Sequence, residues 1–254
     1  MTKVICEAKV IAQKFLAPDV KLIEVKAPEI ASQGQPGQFV NVEVSRQAAP
    51  LLRRPLGLAV VNKEAGTCSM IYRIIGEGTH LLADTCVGAT LSIIGPLGHG
   101  FDLNAKRPLV VGGGLGLAPL LNLVTSLAVP VDILIGGRTK AEVFWTELFR
   151  EHVRNVYVTT DDGSCGTQGN VNALLPQLLA EGEYDCVYVC GPVPMMKAVA
   201  QVVEQAGLPC QVSLEKYMAC GLGACLSCTC GGIGKRLKVC TDGPVFWSKE
   251  VAEW

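Results

Sequence analysis

Five of the chain's 12 cysteines, Cys220, Cys225, Cys228, Cys230 and Cys240, fall in one short stretch near the C-terminal end. Taking Cys220, Cys225, Cys228 and Cys240, the spacing is C-x4-C-x2-C-x11-C. Its first part is the spacing of plant-type [2Fe–2S] loops, in which a tight turn wraps a cluster and points thiolates inward. Gly221 and Gly223 suit that purpose, because glycine admits unusual torsions and lets backbone N–H groups approach cluster sulfurs. The competing chemistry is a structural zinc site. Zinc favours paired C-x2-C knuckles, and here Cys225 and Cys228 supply one. Cys230 is surplus, either a spectator or a replacement for Cys228 as ligand; spacing favours Cys228. Cys6, Cys68, Cys86, Cys165, Cys186, Cys190 and Cys210 are scattered and read as ordinary core thiols.

A second group of residues is suited to phosphate. Arg53-Arg54-Pro55-Leu56-Gly57 places a guanidinium fork at a strand entry. Tyr72-Arg73-Ile74-Ile75-Gly76-Glu77-Gly78-Thr79 offers backbone and hydroxyl donors. Gly112-Gly113-Gly114-Leu115-Gly116 follows a predicted strand and opens a predicted helix, so a diphosphate can approach the backbone at a helix N-terminus. Cys190-Gly191-Pro192 again ends a strand and starts a helix, and that edge is where open α/β sheets hold ligands. Each segment alone is a plain turn; their order along one chain is the signal.

The elements that must position these residues change character along the chain. Phe39–Val44 alternates Val40, Val42 and Val44 with Asn41 and Glu43, the period of a half-buried strand. Similar runs at Val4–Ala12, Val20–Val25, Leu58–Val61, Cys68–Ile75 and Thr90–Ile94, separated by turn residues, predict a small antiparallel barrel. From Arg107 onward, apolar runs alternate with helical patterns. Strands are expected at Pro108–Val111, Val131–Ile135, Val156–Thr160 and Cys186–Cys190, and helices over Ala118–Leu127, Ala141–His152, Val171–Glu181 and Met195–Ala206. The tail from Gln211 is too short and glycine-rich for its own apolar core and needs a metal group to hold it. The expected architecture is an α+β multidomain chain: residues 1–104 an N-terminal antiparallel β-barrel, 105–210 a central α/β parallel sheet, and 211–254 a small C-terminal cluster domain.

Bulk properties narrow the functional classes. Of the 254 residues 49% are hydrophobic, which supports sizeable cores, and 22 basic against 23 acidic residues leave a net charge of −1. That balance gives no footprint for nucleic acid or an anionic membrane. Leu115–Ile135 is apolar, but Asn122, Pro130 and Asp132 interrupt it, so a helix and strand explain it better than a bilayer span. Met1–Phe15 lacks the apolar core of an export signal, and clustered thiols suit a reducing compartment, so a cytoplasmic location is expected.

Together these segments resemble the ferredoxin–NADP reductase superfamily. The order Arg54, then Gly114-Leu115-Gly116-Leu117-Ala118-Pro119, then Cys190-Gly191-Pro192 matches it. Arg53-Arg54-Pro55, Tyr72-Arg73, Gly76-Glu77-Gly78-Thr79, Thr159-Thr160-Asp161-Asp162-Gly163, the run from Met218 to Cys225 and the ending Val239–Phe246 resemble one branch. That branch is the electron-transfer subunits of dihydroorotate dehydrogenase B. The resemblance implies FAD held in the barrel by Arg54, Pro55, Leu56, Gly57, Tyr72, Arg73, Ile74, Gly78 and Thr79. It implies NAD(H) admitted by Gly114 and Gly116, with Cys190, Gly191 and Pro192 near the nicotinamide, and one [2Fe–2S] cluster on Cys220, Cys225, Cys228 and Cys240. Asp161 or Asp162 is a candidate for rejecting a 2′-phosphate. The implied partner is an FMN-containing catalytic subunit that oxidises dihydroorotate to orotate in pyrimidine (UMP) biosynthesis, in a heterotetramer, with electrons passing by way of cluster and FAD to NAD. Gly57 departs from the family, which carries Ser or Thr there. The same cofactor set serving another partner (ferredoxin, hydrogenase or another pyrimidine-reducing enzyme) is the alternative, and a zinc-tailed interaction module is the rival of a different class.

Overall fold

The structure, a computed structural model, describes residues 2–47 and 49–254. The first part is a closed barrel of β1 (Val4–Ala17), β2 (Val20–Lys26), β3 (Phe39–Val42), β4 (Arg54–Asn62), β5 (Thr67–Arg73) and β6 (Thr90–Leu97), in the order β1-β2-β5-β4-β3-β6. Every pairing is antiparallel. Closure follows from alternation: Ala8, Val10, Ile23, Val25, Val40, Val42, Leu58, Met70 and Ile93 fill the interior. Two short helices decorate it, α1 (Pro28–Ala31) and α2 (Glu77–Ala83), the latter between β5 and β6.

The second part is a seven-stranded sheet. Its parallel strands are β7 (Pro108–Gly113), β8 (Asp132–Gly137), β9 (Asn155–Thr160), β10 (Thr167–Gln168), β11 (Cys186–Cys190) and β12 (Cys210–Ser213). Helices α3 (Leu117–Ser126), α4 (Trp145–Phe149), α5 (Leu175–Glu181) and α6 (Val193–Gln205) connect them. β7 and β11 are buried at every position, as strands covered on both faces must be. The tail adds β13 (Thr229–Gly232), β14 (Lys235–Lys238), β15 (Val245–Trp247) and β16 (Val251–Glu253). β14, β13 and β16 form a small sheet, while β15 pairs antiparallel with β12 and closes the large sheet's order as β10-β9-β8-β7-β11-β12-β15.

Three expectations shift. The helix expected over Ala141–His152 is a 3-10 turn at Lys140–Val143 followed by α4. Its first turn closes with the Glu142 N–H donating to the Thr139 carbonyl at 3.0 Å, and the Glu142 carboxylate accepts from the Arg138 N–H at 2.9 Å. The pattern over Val171–Glu181 likewise divides into a 3-10 turn, capped by the Asn170 side chain, and α5, which begins at Leu175-Pro176 where proline suits the first turn. The cysteine tail is not a detached unit, since β15 returns to the large sheet and Val239, Cys240 and Phe246 share a core with Val189 and Val212. The apolar stretch Leu115–Ile135 is α3 plus most of β8, and among the described residues no helix is long and apolar enough to cross a membrane.

Candidate functional site

From its first strand, β7, the large sheet runs through β8 and β9 to one side and through β11 and β12 to the other. The C-terminal ends of β7 and β11 therefore flank the crevice where chain direction reverses, the usual ligand position in such sheets. Gly113 and Gly114 leave β7 there, and Gly191 and Pro192 leave β11. A cleft of about 340 Å³ is lined by Gly113, Gly114, Gly137, Arg138, Asp161 and Pro192, with Arg73 reaching in from the barrel. Gly114 has φ +57° and no atom within 4 Å of where a Cβ would stand, so its backbone is open to the cleft. Gly116 is different: a Cβ there would lie 2.5 Å from the Gly191 nitrogen and 2.6 Å from the Cys190 carbonyl carbon. It is the close-packing glycine that lets the β7 and β11 loops touch.

Cys190 is 1% exposed, and its thiol contacts the Ser213 carbonyl at 3.6 Å. Burial, with the Glu215 charge behind it, pushes its pKa far above the usual thiol range. The structure thus sets the Cys190 side chain beneath the crevice as a neutral floor.

A second cleft lies between barrel and sheet, lined by Pro55, Leu56, Gly57 and Ile71 on one side, Leu115, Ala118 and Pro119 on another, and Leu214, Glu215, Lys216 and Met218 on the third. Through Pro55, Glu215, Lys216 and Met218 it is continuous with a wider one of about 920 Å³ bounded by Arg54, Ile75–Thr79 and Tyr217–Ala219. A Cβ on Gly57 would meet Pro119 only at 3.5 Å, ordinary contact, so the residue's smallness is not demanded by packing. Gly78 is where the Arg54 guanidinium lies: a Cβ there would sit 2.5 Å from it, so a larger residue would displace the arginine. Arg53 also lines this cleft, but its guanidinium donates to the Ser92 carbonyl and hydroxyl at 2.8 and 2.9 Å, whereas that of Arg54 lies across Gly78.

Of the expected flavin contacts, Tyr72, Arg73 and Ile74 do not line the barrel–sheet clefts, whereas Thr79 does. Tyr72 and Ile74 face the barrel, Tyr72 only 1% exposed, because β5 alternates and sends Ile71 and Arg73 outward instead. Arg73 consequently reaches the β7–β8 cleft, with its Nε 3.0 Å from Asp19. Thr79 spends its hydroxyl on its own loop, accepting from the Ile75 and Gly76 N–H groups at 3.0 and 3.1 Å and donating to the Gly76 carbonyl at 2.9 Å. It shapes the loop that carries Gly78.

The cysteine loop abuts the wider cleft at Ala219 and Ser227. Asn41 of the barrel braces it, donating to the Cys220 carbonyl at 3.3 Å, and Gly221, with φ +69°, lies so close that a Cβ would be 2.6 Å from that amide. The Cys220 N–H faces the Cys225 sulfur at 3.5 Å, and the Leu222 N–H faces the Cys220 sulfur at 3.3 Å. The Ser227 hydroxyl and N–H hold the Cys225 thiol down to about 6. Cys240 is pushed up to about 12, chiefly by burial and then by its neighbours Cys228 and Cys220. Among the described residues no three ligating side chains already converge on one point. The donor set nonetheless fits an iron–sulfur cluster: four neighbouring sulfurs, with backbone N–H groups aimed at two of them. Cys230 points into the tail's core with Leu237 and Val251.

Residues 110–201 match the oxidoreductase NAD-binding domain, and residues 215–252 match the iron–sulfur cluster binding domain of dihydroorotate dehydrogenase B. The electron-transfer subunit of dihydroorotate dehydrogenase B (NAD(+)) from Geobacillus thermodenitrificans is 41% identical over 95% of this chain and 96% of its own length. The chain belongs to this family. The corresponding subunit of Desulforamulus reducens is 38% identical over 99% of both chains. Among solved structures, a chain of an NADH-dependent reduced ferredoxin–NADP oxidoreductase, described for flavin-based electron bifurcation, superposes with a TM-score of 0.88 at 29% identity. That match covers 98% of this chain and 90% of the other. A Neisseria gonorrhoeae ferredoxin NADP+ reductase with bound FAD and NADP shares the fold at a TM-score of 0.66 and 18% identity, over 80% of this chain and 92% of its own. The clefts and the cysteine loop also use residues to which the sequence alone assigned no site role: Asn41, Ile71, Glu215, Lys216 and Met218. For Glu215 a signal existed, since it lies two residues beyond the C-terminal end of β12, where ligands gather.

Proposed function

We propose that the chain is the NAD-linked electron-transfer subunit of a dihydroorotate dehydrogenase, carrying FAD and one [2Fe–2S] cluster and passing electrons from dihydroorotate oxidation to NAD in pyrimidine biosynthesis. The supporting observation is a succession of neighbouring clefts. The cysteine loop borders the wide cleft at Ala219 and Ser227, that cleft joins the barrel–sheet cleft through Met218 and Glu215, and Leu115 there adjoins Gly114 of the nucleotide cleft. A flavin supplies the conversion between a two-electron hydride and single electrons, which a nicotinamide and a cluster cannot exchange directly.

The residues' parts follow from their positions. Arg54, lying across Gly78, would hold the flavin's phosphates, and Pro55, Leu56 and Gly57 would line its site. The open backbone at Gly114 admits the dinucleotide diphosphate, while Gly116, Gly191 and Pro192 set the loop spacing. Glu215 lines both barrel–sheet clefts and would present its carboxylate to a flavin bound there. Cys220, Cys225, Cys228 and Cys240 are the cluster ligands. The partner in this reading is an FMN-containing catalytic subunit, two of each chain forming a heterotetramer in the cytoplasm.

The test is anaerobic, dihydroorotate-dependent NAD+ reduction by the reconstituted chain with its co-purifying FMN protein. NADH formed only when both proteins are present supports the reading. Dye reduction by NADH without coupling to dihydroorotate keeps the cofactors and rejects the partner. The likeness to the ferredoxin–NADP oxidoreductase chain favours, in that event, a ferredoxin-linked partner.

A further inference from the structure

The nucleotide cleft contains a contradiction in charge. In folds of this kind the dinucleotide's ribose is read near the end of the second strand, some 20 residues past the glycine loop. An acidic residue there suits NAD and an arginine suits the 2′-phosphate of NADP. Arg138 directly follows β8, 24 positions beyond Gly114, and lines the cleft. Taken by itself it is an invitation to NADP, in a family whose relatives are named for NAD(+).

Two of the three Arg138 guanidinium nitrogens are engaged. Its Nε donates to Glu142 Oε1 at 2.6 Å, its Nη2 pairs with the same oxygen, and its backbone N–H donates to Glu142 Oε2 at 2.9 Å. Both oxygens of one carboxylate are engaged by one residue. The 3-10 turn at Lys140–Val143 holds Glu142 in that place, so the carboxylate is present at the high effective concentration of a tethered ligand. The other charged groups at the cleft add no surplus of positive charge. Asp161, whose N–H donates to the Gly137 carbonyl at 3.1 Å, faces Arg138 from the next strand, and Arg73 has its Nε on Asp19. Asp162, the other acidic candidate, is consumed by the Ser164 N–H and hydroxyl at 2.9 and 2.6 Å and does not line the cleft.

We propose that Glu142 sets the nucleotide preference by acting as an internal anion that occupies Arg138, so that a 2′-phosphate finds Nε and Nη2 of the guanidinium already engaged and meets a carboxylate there. Glu142 is a specificity residue acting through Arg138. The same contacts keep Glu142 below the usual carboxylate range, chiefly through the Arg138 hydrogen bond and with Arg73 helping. The inference rests on the dinucleotide reading of this cleft and deepens it.

The test measures dissociation constants of NAD+ and NADP+ for the flavin-loaded chain by quenching of flavin fluorescence, with circular dichroism confirming the fold. For Glu142→Gln, and equally for Glu142→Ala, NADP+ binding should tighten relative to NAD+ by at least roughly tenfold, the worth of one charge-assisted hydrogen bond. Removing Arg138 as well, in Arg138→Ala/Glu142→Gln, should erase that gain. An unchanged ratio in both Glu142 variants overturns the proposal, as does a gain that survives loss of Arg138. A shift produced by Asp161→Asn and not by Glu142→Gln also overturns it, in favour of simple repulsion by Asp161. If the unaltered chain binds neither nucleotide, the reading of the cleft fails and the proposal falls with it.

Discussion

Gly114 and Gly116 stand two positions apart in one loop and answer to different forces. Gly114 is left-handed and open, whereas Gly116 is walled by the backbone of Cys190 and Gly191. Gly116→Ala should therefore lower thermal stability by the equivalent of about 1–3 kcal/mol through overpacking, seen as a fall in Tm. Gly114→Ala should cost about 1–2 kcal/mol for its left-handed torsion and, unlike Gly116→Ala, weaken NAD+ binding directly by placing a methyl in the open cradle. Titration calorimetry beside a melting curve separates the two. The thiols offer a second contrast at this scale. Cys228 lies beside Cys240, while Cys230 packs with Leu237 and Val251. Cys228→Ser should abolish stoichiometric iron and acid-labile sulfide, and Cys230→Ser should keep both; loss in the Cys230 variant instead would exchange their parts.

At the scale of elements, the end of β8 remote from the nucleotide is fixed by one carboxylate. Asp132, 2% exposed, accepts from Arg154 at 2.9 and 2.6 Å, from Asn155 at 3.0 Å and from the Tyr184 hydroxyl at 2.7 Å. Burial alone would raise its pKa, but the Arg154, Tyr184 and Asn155 hydrogen bonds outweigh it and hold the carboxyl below its ordinary 3.8. A depressed folded-state pKa means that the stabilisation is complete above the ordinary value and is lost as pH falls through the folded one. Asp132→Asn should destabilise by about 1–3 kcal/mol at neutral pH, a range kept modest because Arg154 is half exposed and screened. The gap between variant and parent should shrink below about pH 4, where the parent's own carboxylate is titrated. Urea melts at pH 7 and pH 3.5 would show it; a constant gap would assign the effect to packing alone. The same strand's other end carries Arg138, so a network remote from the ligand keeps the cleft's wall in register.

For the whole molecule, the cysteine loop must face whatever exchanges electrons with it. Leu222 and Leu226 are exposed beside the cluster thiols, and Tyr217, 96% exposed, stands at the adjoining cleft. In the proposed complex this face meets the catalytic subunit. Leu222→Glu should lower dihydroorotate-coupled NAD+ reduction at least roughly tenfold, the cost of an unpaired charge in an interface core. Iron content and NADH-driven dye reduction should stay at parental levels. Full coupling in that variant would move the docking face elsewhere.

The barrel and the alternating βα half were legible because their periods differ and because each is dictated by local burial: Val40 and Val42 go inward on one side of a strand, and the runs Pro108–Val111 and Cys186–Cys190 are apolar throughout. The cysteine spacing and the order of Arg54, Gly114–Pro119 and Cys190–Pro192 were likewise local, and they carried the family. Which way a side chain points at a strand's end was not. β5 sends Arg73 to the nucleotide cleft and Tyr72 into the barrel, a matter of register against β2 and β4. Nor could spacing show that Thr79 serves its own loop, that Cys190 lies under the crevice, or that Glu142 reaches back to Arg138. Sequence by itself determined the elements, their order and the chemistry they can hold, since those depend on residue type and period. The tertiary structure decided which glycine is open, which arginine is free and which thiols are neighbours, because each depends on what distant segments pack against it.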